Sequence, residues 1–287
     1  MDLAIWAGGR LHAPDEPVLT AVDHGLTVGD GVFETCAVHR GAAFALTRHL
    51  ARLEASAHGL GLPPLPMDEV REGVRAVLRA AGEHAGRLRI TVTGGPGPLG
   101  SHRYPDDEVR PTVVVVAGPA TVSDVARAVR VPWVRNERSP LAGLKTTSYG
   151  ENVVALARAR ERGADEALLA DTRGRLSEGT GSNVFVELGG ELLTPSLETG
   201  ALAGVTRALL LLWGAEAGLP VREARPDELA WEVLDDVVAG RAHLALTGSV
   251  RNVTPVVRLD DHDVAAGPLS REARRLFLAR LDDDVDP

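Results

Sequence analysis

Leu141-Ala-Gly-Leu-Lys-Thr-Thr-Ser-Tyr-Gly150 contains the only lysine of the chain, and the other members of its 31 Lys plus Arg are all arginine. Where positive charge is all that is needed, either residue would serve. A guanidinium keeps its proton, whereas an amine can be neutralised by its surroundings and can attack a carbonyl. Lys145 is therefore a candidate nucleophile. Composition alone leaves open a chance survivor on the surface.

Outward from this segment, the second half alternates strands with helices. Strands are expected at 128–134, 167–170, 183–187 and 242–247, and helices at 152–162, 205–218 and 269–281. The first half begins with strands at 3–6, 32–38 and 43–46. Thr47 is placed to cap a helix at 48–58, and a second helix follows at 68–81. Two more strands, 88–93 and 112–117, flank Gly94-Gly-Pro-Gly-Pro-Leu-Gly100, which leads into Ser101-His-Arg-Tyr104. That loop reads either as a substrate-facing wall or as a disordered tip. Residues 1–118 are expected to form a small α/β domain, 119–127 a linker, and 128–287 a larger domain. The acidic run Asp282-Asp-Asp-Val-Asp286 reads as a solvated end.

Composition excludes several classes. A net charge of −9 and the lack of a basic run argue against a nucleic-acid surface. One cysteine, Cys36, can support neither an internal disulfide framework nor a Cys-rich metal site. The nine His show no spaced ligand cluster with carboxylates, so no metal is expected. The apolar run Ala208–Trp213 is too short to cross a bilayer, and Met1–Arg10 lacks a leader pattern. The expectation is a soluble, cytoplasmic protein with no membrane or nucleic-acid partner.

Four features of the second half converge. Lys145 precedes a helix. Ser177-Glu-Gly-Thr-Gly-Ser-Asn183 places Glu178 in a glycine-rich turn between strand segments. Leu202-Ala-Gly-Val-Thr-Arg207 opens an apolar helix whose N–H groups, with the Thr206 hydroxyl, can hold an anion. Leu246-Thr-Gly-Ser-Val250 is a second turn of small hydroxyl residues. An amine, a carboxylate and a helix-terminus anion site are what pyridoxal 5′-phosphate requires. Each has a plain counterpart: a solvated Glu, an ordinary helix cap, a surface Lys.

Further pieces join these: Gly29-Asp-Gly-Val-Phe-Glu-Thr35, His49-Leu-Ala-Arg-Leu53, Glu178-Gly-Thr-Gly-Ser-Asn-Val-Phe185, and Gly248-Ser249 ahead of Val253-Thr-Pro255. In this order the chain resembles the fold-type IV pyridoxal-phosphate enzymes over nearly its whole length. That group includes branched-chain and D-amino acid aminotransferases, (R)-selective amine transaminases and 4-amino-4-deoxychorismate lyase. The resemblance implies an α/β (α+β) two-domain fold with cofactor in the interdomain cleft, and a homodimer. It makes Lys145 the Schiff-base lysine and proton shuttle, and Glu178 the partner of the pyridine nitrogen. Arg52, Val205, Thr206, Ser249 and Val250 become cofactor-binding, although Arg52 by itself reads as a solvated helix arginine.

Departures bear on substrate. A tyrosine found five residues past the lysine in branched-chain enzymes is replaced by Gly150, with Tyr149 one position earlier. Gly94 and Pro96 stand in the region where D-amino acid aminotransferases carry an Arg and a His. Phe33, Arg89 and Tyr104 are the candidate substrate-binding residues, with a merely salt-bridged Arg89 as the alternative. The first functional reading is a transaminase moving an amino group from an amino acid or amine to a keto acid. The second is the deoxychorismate lyase, releasing 4-aminobenzoate and pyruvate. A third is a non-catalytic binder of a phosphorylated ligand.

Overall fold

The computed structural model describes residues 3–287; Met1 and Asp2, where the leader reading starts, lie outside them. The described residues divide into two units. One holds the chain up to Thr121 together with Leu144–Tyr149 and Val285–Pro287, and the other holds Val122–Gly143 and Gly150–Asp284.

The first unit is built on six strands: β1 (Ala4–Ala7), β2 (Arg10–His12), β3 (Gly31–His39), β4 (Ala42–Ala43), β5 (Arg87–Thr93) and β6 (Thr112–Gly118). They form an antiparallel sheet in the order β2-β1-β6-β5-β3-β4. Its helices are α1 (His24–Thr27), α2 (Leu46–Leu60) and α3 (Met67–Ala81). Two-residue alternation decides which side chains meet the helices. Leu88, Ile90 and Val92 of β5 and Val113, Val115 and Ala117 of β6 point one way, into a core shared with Leu50, Leu53, Val70, Val74 and Val77. Arg89 and Thr91 point the other way. On β3 the core-side stripe is Val32, Glu34 and Cys36, all fully buried, so a carboxylate sits inside an apolar row.

Two sequence expectations change here. The strand expected at 43–46 stops at Ala43, because Ala45 adopts a left-handed φ of 52° and α2 begins at Leu46. Thr47 is not the cap either. Ala45 occupies the N-cap position without a side-chain bond, and the exposed donors find partners at the far end of the chain. The Asp286 carboxylate accepts from Thr47 N at 2.8 Å and from Thr47 Oγ1 at 2.6 Å, while Ala45 N donates to Val285 O at 2.7 Å. The acidic end is thus a helix cap supplied from 239 residues away rather than solvated tail. Asp286→Ala should cost about 0.5–1 kcal/mol of stability. Urea unfolding checks this, and an unchanged midpoint would contradict it.

The loop after β5 is tied down. His24 Nε2 meets Pro98 O at 2.8 Å, and the Arg103 fork binds Asp30 at 2.7 and 2.5 Å and Leu60 O at 2.9 Å. That arginine fixes the loop both to the glycine-rich segment before β3 and to the end of α2. The disordered-tip alternative is therefore set aside.

The second unit carries nine strands. They are β7 (Ala126–Arg135), β8 (Glu166–Asp171), β9 (Leu176–Gly179), β10 (Asn183–Leu188), β11 (Glu191–Thr194), β12 (Val221–Glu223), β13 (His243–Gly248), β14 (Asn252–Leu259) and β15 (His262–Asp263). The path runs β12-β11-β10-β13-β14-β7-β8-β9, with β15 on β14 and a further β9–β10 pairing that closes six strands into a ring. Its helices are α4 (Gly150–Glu161), α5 (Val205–Glu216), α6 (Val233–Val238) and α7 (Pro268–Asp283). Val184, Val186, Leu244, Leu246, Leu168, Leu176 and Val256 form one core cluster. Among the described residues, no helix is long and apolar enough to cross a membrane.

Candidate active site

Lys145 packs with the first unit, although its position in the sequence suggested the second domain. The reason is backbone pairing with β3. Phe33 N donates to Lys145 O at 3.0 Å, Thr147 N donates to Gly31 O at 2.8 Å, and Val32 bridges Thr146. Lys145 N donates to Ser56 Oγ of α2 at 3.2 Å. The segment is thereby held between β3 and α2, and its side chain is half-buried.

The Lys145 amine lies 4.4 Å from the centroid of the Phe33 ring and 5.9 Å from that of Tyr149. The two rings meet edge to face at 5.2 Å. The Arg89 guanidinium sits 3.8 Å from the same Phe33 centroid, and its Nε donates to Thr91 Oγ1 at 3.2 Å. Among the described residues no carboxylate pairs with Arg89, so its salt-bridged alternative does not hold. Phe33, Arg89, Lys145 and Tyr149 therefore form one cluster. Tyr104 stays apart: it is 45% exposed, and no ring or hydrogen-bond contact joins it to the others.

Arg52 lies one helical turn from His49 on α2, and both reach Glu34. Arg52 Nε donates to Glu34 Oε1 at 2.7 Å and Nη2 to Oε2 at 2.8 Å, while His49 Nδ1 meets Oε2 at 2.6 Å. Burial on its own would push the Glu34 carboxyl up; the bonds from Arg52 and His49 outweigh it and hold the pKa at about 2. Burial likewise pushes His49 down, only partly offset by Glu34, so its ring is neutral and donates from Nδ1. Arg52 is thus fixed by a buried carboxylate rather than solvated. Sequence reading missed Glu34 and His49, although an acid inside the stripe Val32-x-Glu34-x-Cys36 was a signal that a cation must lie beneath it.

In the second unit Glu178 lies on a strand, β9, not in a turn. It is cross-strand partner of Asn183 and antiparallel neighbour of Leu169. Glu178 is 8% exposed, and donors surround its carboxylate. Leu202 N reaches Oε2 at 2.9 Å, Asn183 Nδ2 reaches Oε2 at 3.4 Å, and Arg135 Nε stands 3.2 Å from Oε1. The Arg135 contact is an ion pair in distance without hydrogen-bond alignment. Arg135 Nη1 also donates to Asn152 Oδ1 at 3.2 Å. Asn183 Nδ2 holds Leu202 O at 2.8 Å, and a Cβ on Gly204 would fall 1.9 Å from Asn183 Oδ1. Only glycine therefore lets the chain pass so close and turn into α5. Arg135 and Asn183 had no assigned role in the sequence reading.

Gly204 caps α5 with no side-chain hydrogen bond, and Val205 and Thr206 in the first turn are 6% and 4% exposed. The N–H groups of such a turn favour an anion. Ser249 and Val250 form the half-buried turn between β13 and β14. Among the described residues, no group of three or more His, Cys, Asp or Glu could hold a metal ion.

Comparison with known proteins gives the family. The profile of amino-transferase class IV matches residues 31–259. The branched-chain-amino-acid aminotransferase of Pseudomonas aeruginosa is 28% identical over 98% of this chain and 92% of its own. The aminodeoxychorismate lyase of Bacillus subtilis is 29% identical over 94% and 90%. Among solved structures, the fold IV-transaminase CpuTA1 from Curtobacterium pusillum superposes with a TM-score of 0.80 at 30% identity, covering 98% of this chain and 99% of that one. The fold is that of a fold-type IV enzyme. The chain belongs to the class IV aminotransferase family, whose members are pyridoxal-phosphate enzymes acting on amino acids and keto acids.

Proposed function

We propose that this chain is a pyridoxal 5′-phosphate-dependent transaminase that moves an amino group from an amino acid to a keto acid. The observation that carries the reading is the sole lysine amine set on the Phe33 and Tyr149 rings, beside an arginine with no acid partner among the described residues. The residues fit the cofactor. Lys145 supplies the amine for its aldehyde, and Glu178 an acceptor for its pyridine N–H. Val205, Thr206, Ser249, Val250 and Arg52 supply donors for its phosphate. When bound, the cofactor supplies an electron sink that weakens the Cα–H bond of an attached amino acid.

The chain's own side chains do the rest. The Lys145 amine, once free, would accept the Cα proton of a bound amino acid and hold it for return. Arg135 and the Leu202 N–H keep the Glu178 carboxylate oriented. Arg89 would bind the substrate carboxylate, which favours amino acids over simple amines, and Phe33 would line the substrate's path, with Tyr104 left outside this cluster. A homodimer belongs to the same reading; Leu26 and Leu99, 63% and 83% exposed, are apolar side chains that a second copy would cover.

The lyase reading has the Bacillus subtilis relative in its favour and uses the same lysine. Keto acid release separates the two. Purified enzyme given an amino acid without an acceptor should release one equivalent of keto acid per site and stop, with the cofactor left in its amine form. A lyase would instead turn over aminodeoxychorismate continuously to 4-aminobenzoate and pyruvate without an acceptor. Failure of both assays, with no cofactor absorbance, would leave only the binding-protein reading.

A further inference from the structure

Thr247 lies on β13, directly opposite Asn183 of β10. It is 1% exposed, and its hydroxyl oxygen is buried without a hydrogen-bond partner among the described residues. Native interiors avoid this, since a stranded hydroxyl has given up water for nothing. Such a group is tolerated where function supplies the missing partner.

The register shows where that partner must sit. Residues directly opposite on antiparallel strands share a face, with Cβ atoms about 5 Å apart. The neighbouring pair, Val184 and Leu246, points the other way into the core cluster. Thr247 therefore shares the face of Asn183, whose amide meets Glu178 and Leu202 and abuts Gly204, the N-cap of α5. That cap makes no side-chain bond, and α5 itself packs on β13. Two residues beyond Thr247 stands Ser249, already assigned to the phosphate. A buried hydroxyl with a proton to give, an uncapped helix start and a hydroxyl-bearing turn thus share one end of one sheet.

We propose that the Thr247 hydroxyl is a further ligand of the cofactor's phosphate, donating to an oxygen seated at the first turn of α5. This rests on the pyridoxal-phosphate reading and deepens it. The hydroxyl remains without a partner until the anion arrives, so the side chain trades stability of the cofactor-free protein for affinity.

Thr247→Val keeps the shape and removes the hydroxyl, and the account makes its two effects opposite in sign. The cofactor-free variant should melt about 2 °C higher than wild type, because an unmet polar group is gone. Its Kd for pyridoxal phosphate should rise about tenfold, because a hydrogen bond to a charged oxygen is lost. Its affinity for pyridoxal, which lacks the phosphate, should stay within about twofold of wild type, and Thr247→Ser should restore phosphate-dependent binding. Equal weakening toward both ligands, unchanged binding of both, or a lower melting temperature would each overturn the proposal. If wild type itself fails to bind pyridoxal phosphate, the cofactor reading falls and this inference falls with it. Wild-type binding with an unaffected variant removes this inference alone.

Discussion

Lys145→Ala is expected to lose the visible absorbance of bound cofactor and to slow amino transfer by at least about 10³-fold. The expectation follows from composition and geometry together. No second lysine exists to substitute for it, and Lys145 is held in place by backbone pairing to β3 and by Ser56 of α2. Lys145→Arg should fail as badly, since a guanidinium keeps charge and length but neither attacks a carbonyl nor passes a proton at neutral pH. Because the backbone contacts survive both changes, melting temperature should move little. Turnover in Lys145→Ala within about tenfold of wild type would contradict the assignment.

Glu34→Ala should produce the largest loss of stability, about 3–5 kcal/mol, because it strands the Arg52 guanidinium over a fully buried position that has lost its carboxylate. The same change should loosen the hold on phosphate, since two of the bonds that aim Arg52 disappear. The pH dependence has a definite sign. The folded pKa of Glu34, about 2, lies below the ordinary 4.5, so its contribution is fully present above about pH 4.5 and is lost as pH falls toward 2. His49, pushed down by burial, acts in the same direction at higher pH: the unfolded chain takes up the proton first, so stability drops as pH falls through the ordinary histidine range around 6.5. Urea midpoints of wild type should therefore decline on acidification, and Glu34→Ala should lack the step below about pH 4.5. A loss under about 1 kcal/mol, or an unaltered acid profile, would show that the carboxylate is not the anchor of Arg52.

Much of this was legible in the chain. The alternation in 88–93 showed which face is buried, because strand periodicity is local, whereas the continuous apolar run 112–117 was legible as a strand but its buried face, Val113, Val115 and Ala117, was not. The helical runs at 48–58, 68–81 and 205–218 were found with ends shifted by one to two residues. Lys145 and Glu178 were singled out as candidates by what they can do chemically. What stayed hidden depended on contacts between residues far apart in sequence. Asp286 capping α2 spans nearly the whole chain, and no local pattern reveals a cap supplied from the other end. The Leu144–Tyr149 segment joins the first unit through pairing with β3, which its sequence neighbourhood does not announce. Glu34 could have been found, since a carboxylate between Val32 and Cys36 on a buried stripe demands a partner. Arg135 could not, because arginine at a strand end is ordinarily solvated.

The central claim concerns one covalent bond, and borohydride reduction followed by trypsin and mass spectrometry reads it directly. Trypsin cannot cut after a modified lysine, so a phosphopyridoxyl group on Lys145 should appear on a peptide running from Ser139 through to Arg158. Finding the peptide unmodified and cut after Lys145, from enzyme loaded with pyridoxal phosphate, would contradict the account.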